Sequence, residues 1–415
     1  MNYIKKKISE IGRVVTGKTP STVNREYYDG DYMFITPNEL HGDYVVTKSE
    51  KTITEKGMNS ILSNTIHGIS IMVGCIGWDM GNVAICKEKC ATNQQINSIT
   101  DIKQDYNPYY VYYWLKLYKD YLFSLASVTR TPILSKGDFQ DIEIPMPTKS
   151  KQDKIVQILK TLDNKIMLNN EVNRNLQQLI NLIYEHWFIQ LDFPDDNGNP
   201  YKSSGGKLVY NELLKKEIPI AWDAAPLTNN VLVKIISPGI ERFFGKKRYL
   251  ATADVSGMDI GEGTYIEYHT RENRANMQPL VNSVWFAKMK NSIKHLCLNN
   301  QMNELINSSI ISTGFCGLQC QDNAFEYISS FVANPYFETL KNVLAHGATQ
   351  QAVNNDDLSE IILLIPDKST LIKFQGLTQT LYAEIGKNIS ENTKLASTRD
   401  WLLPMLINGQ ISIIG

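Results

Sequence analysis

The stretch NPYYVYYWLKLY, Asn107 to Tyr118, holds residue types that can do chemistry on a nucleobase. An asparagine amide can hydrogen-bond an exocyclic amino group, proline stiffens the turn, and aromatic rings can stack on an extruded base. A second near copy, NPYFETLKNVL, begins at Asn334. Methyl transfer to a base amino group also requires a Gly-rich turn after a strand to hold S-adenosylmethionine. Neither Asn-Pro is preceded by a convincing turn of that kind. Pro108 and Pro335 instead open amphipathic segments, with Tyr110, Tyr113, Trp114 and Leu117 in one and Phe337, Leu340 and Leu344 in the other. Proline loses no hydrogen bond in a first helical turn, and asparagine is a good cap before it. Both sites are therefore predicted helix starts, and the chain is expected to be non-catalytic.

Other reactive residues give weaker signals. Cys75, Cys86, Cys90, Cys297, Cys316 and Cys320 form two C-x3-C pairs but no C-x2-C, and no histidine lies beside them at zinc-ligand spacing. They read as small buried hydrophobes, and no metal is expected. The net charge of −1 argues against coating nucleic acid by bulk charge, but allows focused basic surfaces. Three such clusters exist: Lys5, Lys6 and Lys7; Lys246, Lys247 and Arg248; Lys288, Lys290 and Lys294. By itself each is more simply a solvated edge.

The elements that must position these residues show themselves through repetition. TLDNKIMLNNEVNRNL from Thr161 lies over TLYAEIGKNISENTKL from Thr380, an offset of 219, and Asp138, Ile142, Pro147 and Lys154 meet Asp357, Ile361, Pro366 and Lys373 at the same offset. Upstream the offset drifts: YMFITPNEL from Tyr32 matches RYLATADVS from Arg248 at 216, and the two Asn-Pro sites differ by 227. Loops of different length inside a shared framework produce such drift.

Each copy ends in a predicted long helix. Ile155, Leu159, Leu162, Ile166, Asn169, Asn173, Leu176, Ile180, Ile183 and Trp187 alternate steps of four and three, as do Phe374, Thr378, Leu381, Ile385, Asn388, Asn392, Leu395, Arg399, Leu402 and Leu406. Asn169, Asn173, Asn388 and Asn392 interrupt both seams at matching steps, which predicts that the helices pack on each other in one register. Thirty-three residues from Ile155 to Trp187, at about 1.5 Å each, give a rod on the order of 50 Å, or roughly 15 bp. Before each helix, short β-like runs such as ISIMVGC, NVAIC, VWFA and IILLIP are broken by Gly, Asn and Asp turns. The fold class expected is α+β: two pseudo-repeated mixed domains joined by an antiparallel coiled coil. The boundaries are 1–150, helix 151–190, a polar linker 191–222, 223–368, and helix 369–415. With no apolar run near 18 residues and no secretory start, a cytoplasmic location and no membrane contact are expected.

In this duplicated order the chain resembles the DNA specificity subunits of type I restriction–modification systems. GKTPST (Gly17 to Thr22) followed by DYMFITPNEL (Asp31 to Leu40) resembles the opening of a target-recognition domain, and IPIAWDAAPLTNNV the start of the second. ISTGFCGLQC (Ile311 to Cys320), GATQQAV (Gly347 to Val353) and the closing WLLPMLINGQI resemble further blocks, with SVTRTPIL (Ser127 to Leu134) in the GATQQAV place of the first domain. In the second domain SPGIERFFGKKRY stands where GKTPS is expected.

The resemblance implies two target-recognition domains, each reading one half of a bipartite double-stranded DNA target. It also implies two methyltransferase subunits and restriction/translocase subunits as partners, which would carry S-adenosylmethionine, ATP and Mg; this chain would bind no cofactor. Bases are read by Asn, Gln, Arg or Thr, and phosphates are held by basic residues. The candidates are Lys18, Thr19, Thr36, Asn38, Arg130 and Thr131 in the first domain and Lys246, Lys247, Arg248, Thr252, Thr349 and Gln350 in the second. Asn93, Gln94 and Gln95 are weaker, because a polar run also caps a strand end. A stand-alone adenine methyltransferase and a DNA-recognition scaffold of another phage-defence system are the alternatives.

Overall fold

A computed structural model describes residues 3–128, 130–348 and 350–411. They form two compact units, one from the stretches up to Met167 and from Leu395, the other from Leu168–Lys394.

In the first unit one sheet orders Arg13–Thr16, Ile96–Thr100, Ser70–Gly74 and Val83–Cys86, all antiparallel. The second orders Lys51–Ile53, Tyr28–Ile35, Cys90–Thr92 and Thr65–Ile66, and pairs Phe34 with Ala91 and Ile35 with Thr92 in parallel. The period-2 pattern explains the layering. Ile71, Val73, Ile85 and Ile99 face a core shared with the Asn-Pro helix and the first long helix, whereas Met72, Ala84 and Ile96 face a core with Met33, Ile35 and Cys90. A sheet buried on both faces needs consecutive apolar residues, here Ile71, Met72 and Val73.

The second unit repeats this order: Val233–Ile236, Phe315–Cys320, Ser283–Ala287 and His295–Leu298 in one sheet, and Thr264–Glu267, Lys246–Leu250, Ser309–Ser312 and Ala275–Met277 in the other. Its parallel pair again joins the equivalent strands, Arg248 to Leu250 against Ser309 to Ile311. A ribbon closes each domain, Ile4–Lys7 with Glu143–Met146 and Asp223–Pro226 with Ile362–Ile365. The stretch 191–222 is ordered: Leu208–Asn211 pairs with Lys216–Pro219, and the Phe193 ring stacks on Tyr201 and Trp222.

The long helices run Lys149–Tyr184, continued by a π-helical turn Glu185–Ile189, and Lys368–Ile407. In the second unit Asn169 donates to Asn392 at 2.9 Å and Asn388 donates to Asn173 at 2.9 Å. Rising numbers in one helix meet falling numbers in the other, so the pairing is antiparallel. In the first unit Arg399, at a seam position, donates to Asp163 at 2.8 Å, and the Tyr113 hydroxyl donates to the other Asp163 oxygen at 2.6 Å. Helices begin at both Asn-Pro sites, Pro108–Leu117 and Pro335–Leu344, with the Asn107 and Asn334 side chains accepting from the Tyr109 and Tyr336 N–H groups. All six cysteines are buried thiols. Among the described residues no helix is long and apolar enough to cross a membrane.

Candidate nucleic-acid interface

A parallel strand pair sends both of its C-terminal ends to one edge of a sheet, and the polar loops gather there. In the first domain Tyr28–Ile35 runs into Thr36 and Asn38, and Cys90–Thr92 into Asn93, Gln94 and Gln95. The loops are tied by their backbones: Asn93 N–H donates to Ile35 O at 3.0 Å, and Cys75 N–H to Gln95 O at 2.8 Å. Gly17 lies so close to Thr92 and Asn93 that a Cβ there would come within 2.1 Å of the Asn93 carbonyl oxygen, which explains the glycine. Lys18 follows it in solvent, and the Thr19 hydroxyl donates to Gln94 at 2.9 Å. The hairpin bearing Arg130 and Thr131, both exposed, is held on the same rim by Gly77 N–H to Pro132 O (2.9 Å) and Leu134 N–H to Cys75 O (2.9 Å).

The second domain builds the same rim with other side chains. Lys290 N–H donates to Gln351 O at 2.9 Å and Val353 N–H to Lys288 O at 3.0 Å, matching the Gly77–Pro132 and Leu134–Cys75 bonds. Lys288 N–H donates to Gly314 O at 3.0 Å, as Cys75 does to Gln95. Arg130 and Thr131 therefore stand where the second domain has Thr349 and Gln350. Gln350 is exposed; Thr349 lies outside the described residues. Lys341, fully buried, pins the Lys288-bearing loop from below by donating to Ala287 O (3.0 Å) and Ser292 O (2.9 Å), with Glu338 Oε1 as counter-ion at 2.8 Å. Its burial pulls the Lys341 pKa down, and the Glu338 carboxylate resists that.

Several candidates move. Arg248 is only 7% exposed; its guanidinium donates to the carbonyls of Glu262 (2.8 Å) and Gly261 and to Thr393 Oγ1 (3.4 Å). An arginine so committed is a structural brace, and its assignment as a DNA contact is corrected. Lys246 and Lys247 begin the strand that ends at Leu250, roughly 13 Å away at 3.3 Å per residue, so they are not beside Thr252. Lys247 donates to Gln278 at 3.0 Å. The Thr36 hydroxyl and N–H both donate to Glu39 at 2.8 Å, and the N–H bond recurs as Ala251 N–H to Asp254 at 2.8 Å. Thr36 thus matches Ala251, and the alignment that set it over Thr252 is off by one residue. Thr252 itself is half-buried, and its carbonyl accepts from Lys294. The SPGIERFFGKKRY loop turns outward differently from GKTPST: Phe243 packs against Tyr249, Ala275 and Ile310, while Phe244 is 91% exposed.

Lys288, Lys290 and Lys294 are visible in the sequence as a charge cluster, but their place on the rim depends on long-range pairing that no local signal carries. Lys5 and Lys7 pair with Glu143 and Asp141 across the closing ribbon, which makes that cluster a solvated edge. The Asn-Pro amides are spent as well: Asn107 also donates to Asp153 at 2.6 Å and Asn334 to Asn181 at 3.0 Å, so neither is presented to a base.

The two rims thus share one design and carry different polar side chains. Residues 2–178 match the family model described as the type I restriction modification DNA specificity domain. That stretch of the chain is similar to the DNA specificity family. Across 98% of its length it is 27% identical to the type I restriction enzyme MjaIX specificity subunit of Methanocaldococcus jannaschii, of which it covers 93%. Over 39% of its length it is 36% identical to the HindI specificity subunit of Haemophilus influenzae, covering 36% of that protein. The fold is similar to the crystal structure of a type I restriction–modification S subunit from M. genitalium, with a TM-score of 0.50 at 15% identity over 100% of this chain and 97% of that one. The specificity domain matched by the family model holds the first rim and the first part of the long helix that follows it.

Proposed function

We propose that this chain is the target-reading subunit of a type I restriction–modification complex, with each rim reading one half of a bipartite duplex target separated by a gap of fixed length. The observation that carries the reading is the duplicated loop cluster, joined by equivalent backbone bonds and furnished with Lys18, Thr19, Arg130 and Thr131 in one domain and Lys288, Lys290, Gln350 and Gln351 in the other. Lysines would hold phosphates and fix the pose, and Arg, Thr and Gln would read base edges in the grooves. No bond is made or broken by this chain. Methyl transfer and cleavage, with S-adenosylmethionine, ATP and Mg, belong to methyltransferase and restriction/translocase partners, two methyltransferases by the pseudo-symmetry of the repeat.

The test is methylome sequencing of a host expressing the chain with its partner methyltransferase, against a host expressing that methyltransferase alone. A bipartite motif that appears only with this chain is expected. An unchanged motif, or a short continuous one, overturns the reading.

A further inference from the structure

Trp78 is 70% exposed on the loop that follows Ser70–Gly74, and an aromatic neighbour, Phe123, meets one side of it at 6.3 Å between ring centroids. A single exposed ring is common on protein surfaces, so exposure alone assigns nothing; what marks this one is its place on a fixed loop beside the polar rim. The loop is fixed. Asp79 accepts from Lys119 at 3.0 Å and faces His41 at 3.2 Å, and Lys119 also donates to Asn82 at 2.7 Å. Partial burial opposes ionisation of Asp79, but Lys119 and His41 outweigh it and hold the carboxyl below the usual carboxylate range. The residue just before Trp78, Gly77, donates its N–H to Pro132 O in the Arg130 hairpin. The indole and Arg130 therefore share one rim.

Charge identifies the occupant. In the second domain the matching loop carries Lys288 and Lys290, cations suited to a polyanion, while Lys294 is tied to the Thr252 carbonyl. An aromatic ring on such a surface stacks on a base or wedges into a base step. The second domain has no ring at this place: Asn291 follows Lys290, as Trp78 follows Gly77.

We propose that Trp78 is a DNA contact of the first domain, stacking on a base or opening a base step at the first half-site, with no counterpart at the second. The proposal rests on the target-reading function above. Trp78→Ala and Trp78→Phe are introduced into the full chain and compared with the unaltered chain, each with its methyltransferase partner, by methylome sequencing and by affinity for the cognate duplex. Because the ring is exposed, the variants keep the thermal midpoint of the parent. Expected for Trp78→Ala is a loss of affinity of about 5- to 150-fold, the span of one base-stacking interaction, with degeneracy confined to the first half of the motif. Trp78→Phe is expected to restore most of both. An Ala variant with unchanged motif and affinity overturns the proposal. So does one that fails to assemble with the methyltransferase, which would make Trp78 a protein contact. If the unaltered chain confers no motif of its own, the target-reading function fails first, and this contact fails with it.

Discussion

Arg130 shows how much of a site can be seen one residue at a time. It lies at an exposed hairpin between Ser127–Val128 and Pro132–Ile133, and a TRTP turn between β-formers announces such a tip. Arg130→Ala is expected to weaken cognate binding by about 1–3 kcal/mol and to blur only the first half of the motif, as methylome sequencing would record. A blurred second half would place the hairpin in the wrong domain's site. Arg248 shows the opposite case. Its neighbours Lys246 and Lys247 make it look like part of a basic patch, but its acceptors come from Gly261, Glu262 and Thr393, which the local sequence cannot bring together. Asp367 is likewise not legible as a cap with a distant partner. It accepts from the Ser369 and Thr370 hydroxyls, from the N–H groups of the same two residues and from the Trp222 indole N–H. Partial burial opposes its ionisation, but these donors prevail and hold the carboxyl below its ordinary range. A depressed folded-state pKa stabilises fully above the unfolded value of about 3.9 and loses that contribution as pH falls through the folded value. Asp367→Ala should therefore lower stability by about 1 kcal/mol at neutral pH, with the gap in thermal midpoint narrowing as the pH drops below about 4. A gap that widens in acid would reverse the sign of the argument.

At the scale of elements the long helices are the most legible part, because a seam of alternating four and three steps is a strong signal and two copies share it. The pairing of individual asparagines is not legible, since a seam fixes which face is buried but not which rung meets which. Asn173 pairs with Asn388, and Asn392 with Asn169 and Asn170. Replacing Asn173 and Asn388 together by Leu is expected to raise stability by on the order of 1–3 kcal/mol in denaturant melts while the gap in the methylated motif loses its single length. A single, unchanged gap would show that the asparagines do not set register. Asp163 is hidden for a different reason: it lies one position past the seam residue Leu162 and gains its meaning only from Arg399 and Tyr113. Burial disfavours the charged arginine, but Asp163 and Asp400 hold its pKa up. Arg399→Leu strands a buried carboxylate and should cost about 3–5 kcal/mol, whereas Arg399→Leu with Asp163→Leu should cost less than the single change. A double loss equal to the sum of the Arg399→Leu and Asp163→Leu losses would mean that the pair is not coupled. The sheets fall between these cases: the buried runs are plain in ISIMV and VWFA, but their order, and the one parallel pair in each domain that gathers the rim loops, follows only from tertiary pairing.

For the whole molecule, a net charge of −1 means that affinity for DNA must come from a few placed cations. Lys18→Gln with Lys288→Gln should reduce the slope of log affinity against log salt by about 0.9 for each phosphate no longer neutralised, while leaving both halves of the motif intact. A changed motif would make either lysine a base reader. The division of the chain into units has a further consequence, for synthesis. The first unit's core includes Leu403, Leu406 and Ile407, the Tyr3 hydroxyl donates to Ile407 O, and Tyr118 donates to Asn408. Those residues leave the ribosome after every residue of the second unit. The domain translated first therefore waits, with Ile155 and Leu159 without their final cover, until the last helix has been made. A premature stop near Leu395 would remove nothing from the second unit and still leave the oldest part of the nascent chain unfinished, a ready substrate for chaperones and proteases.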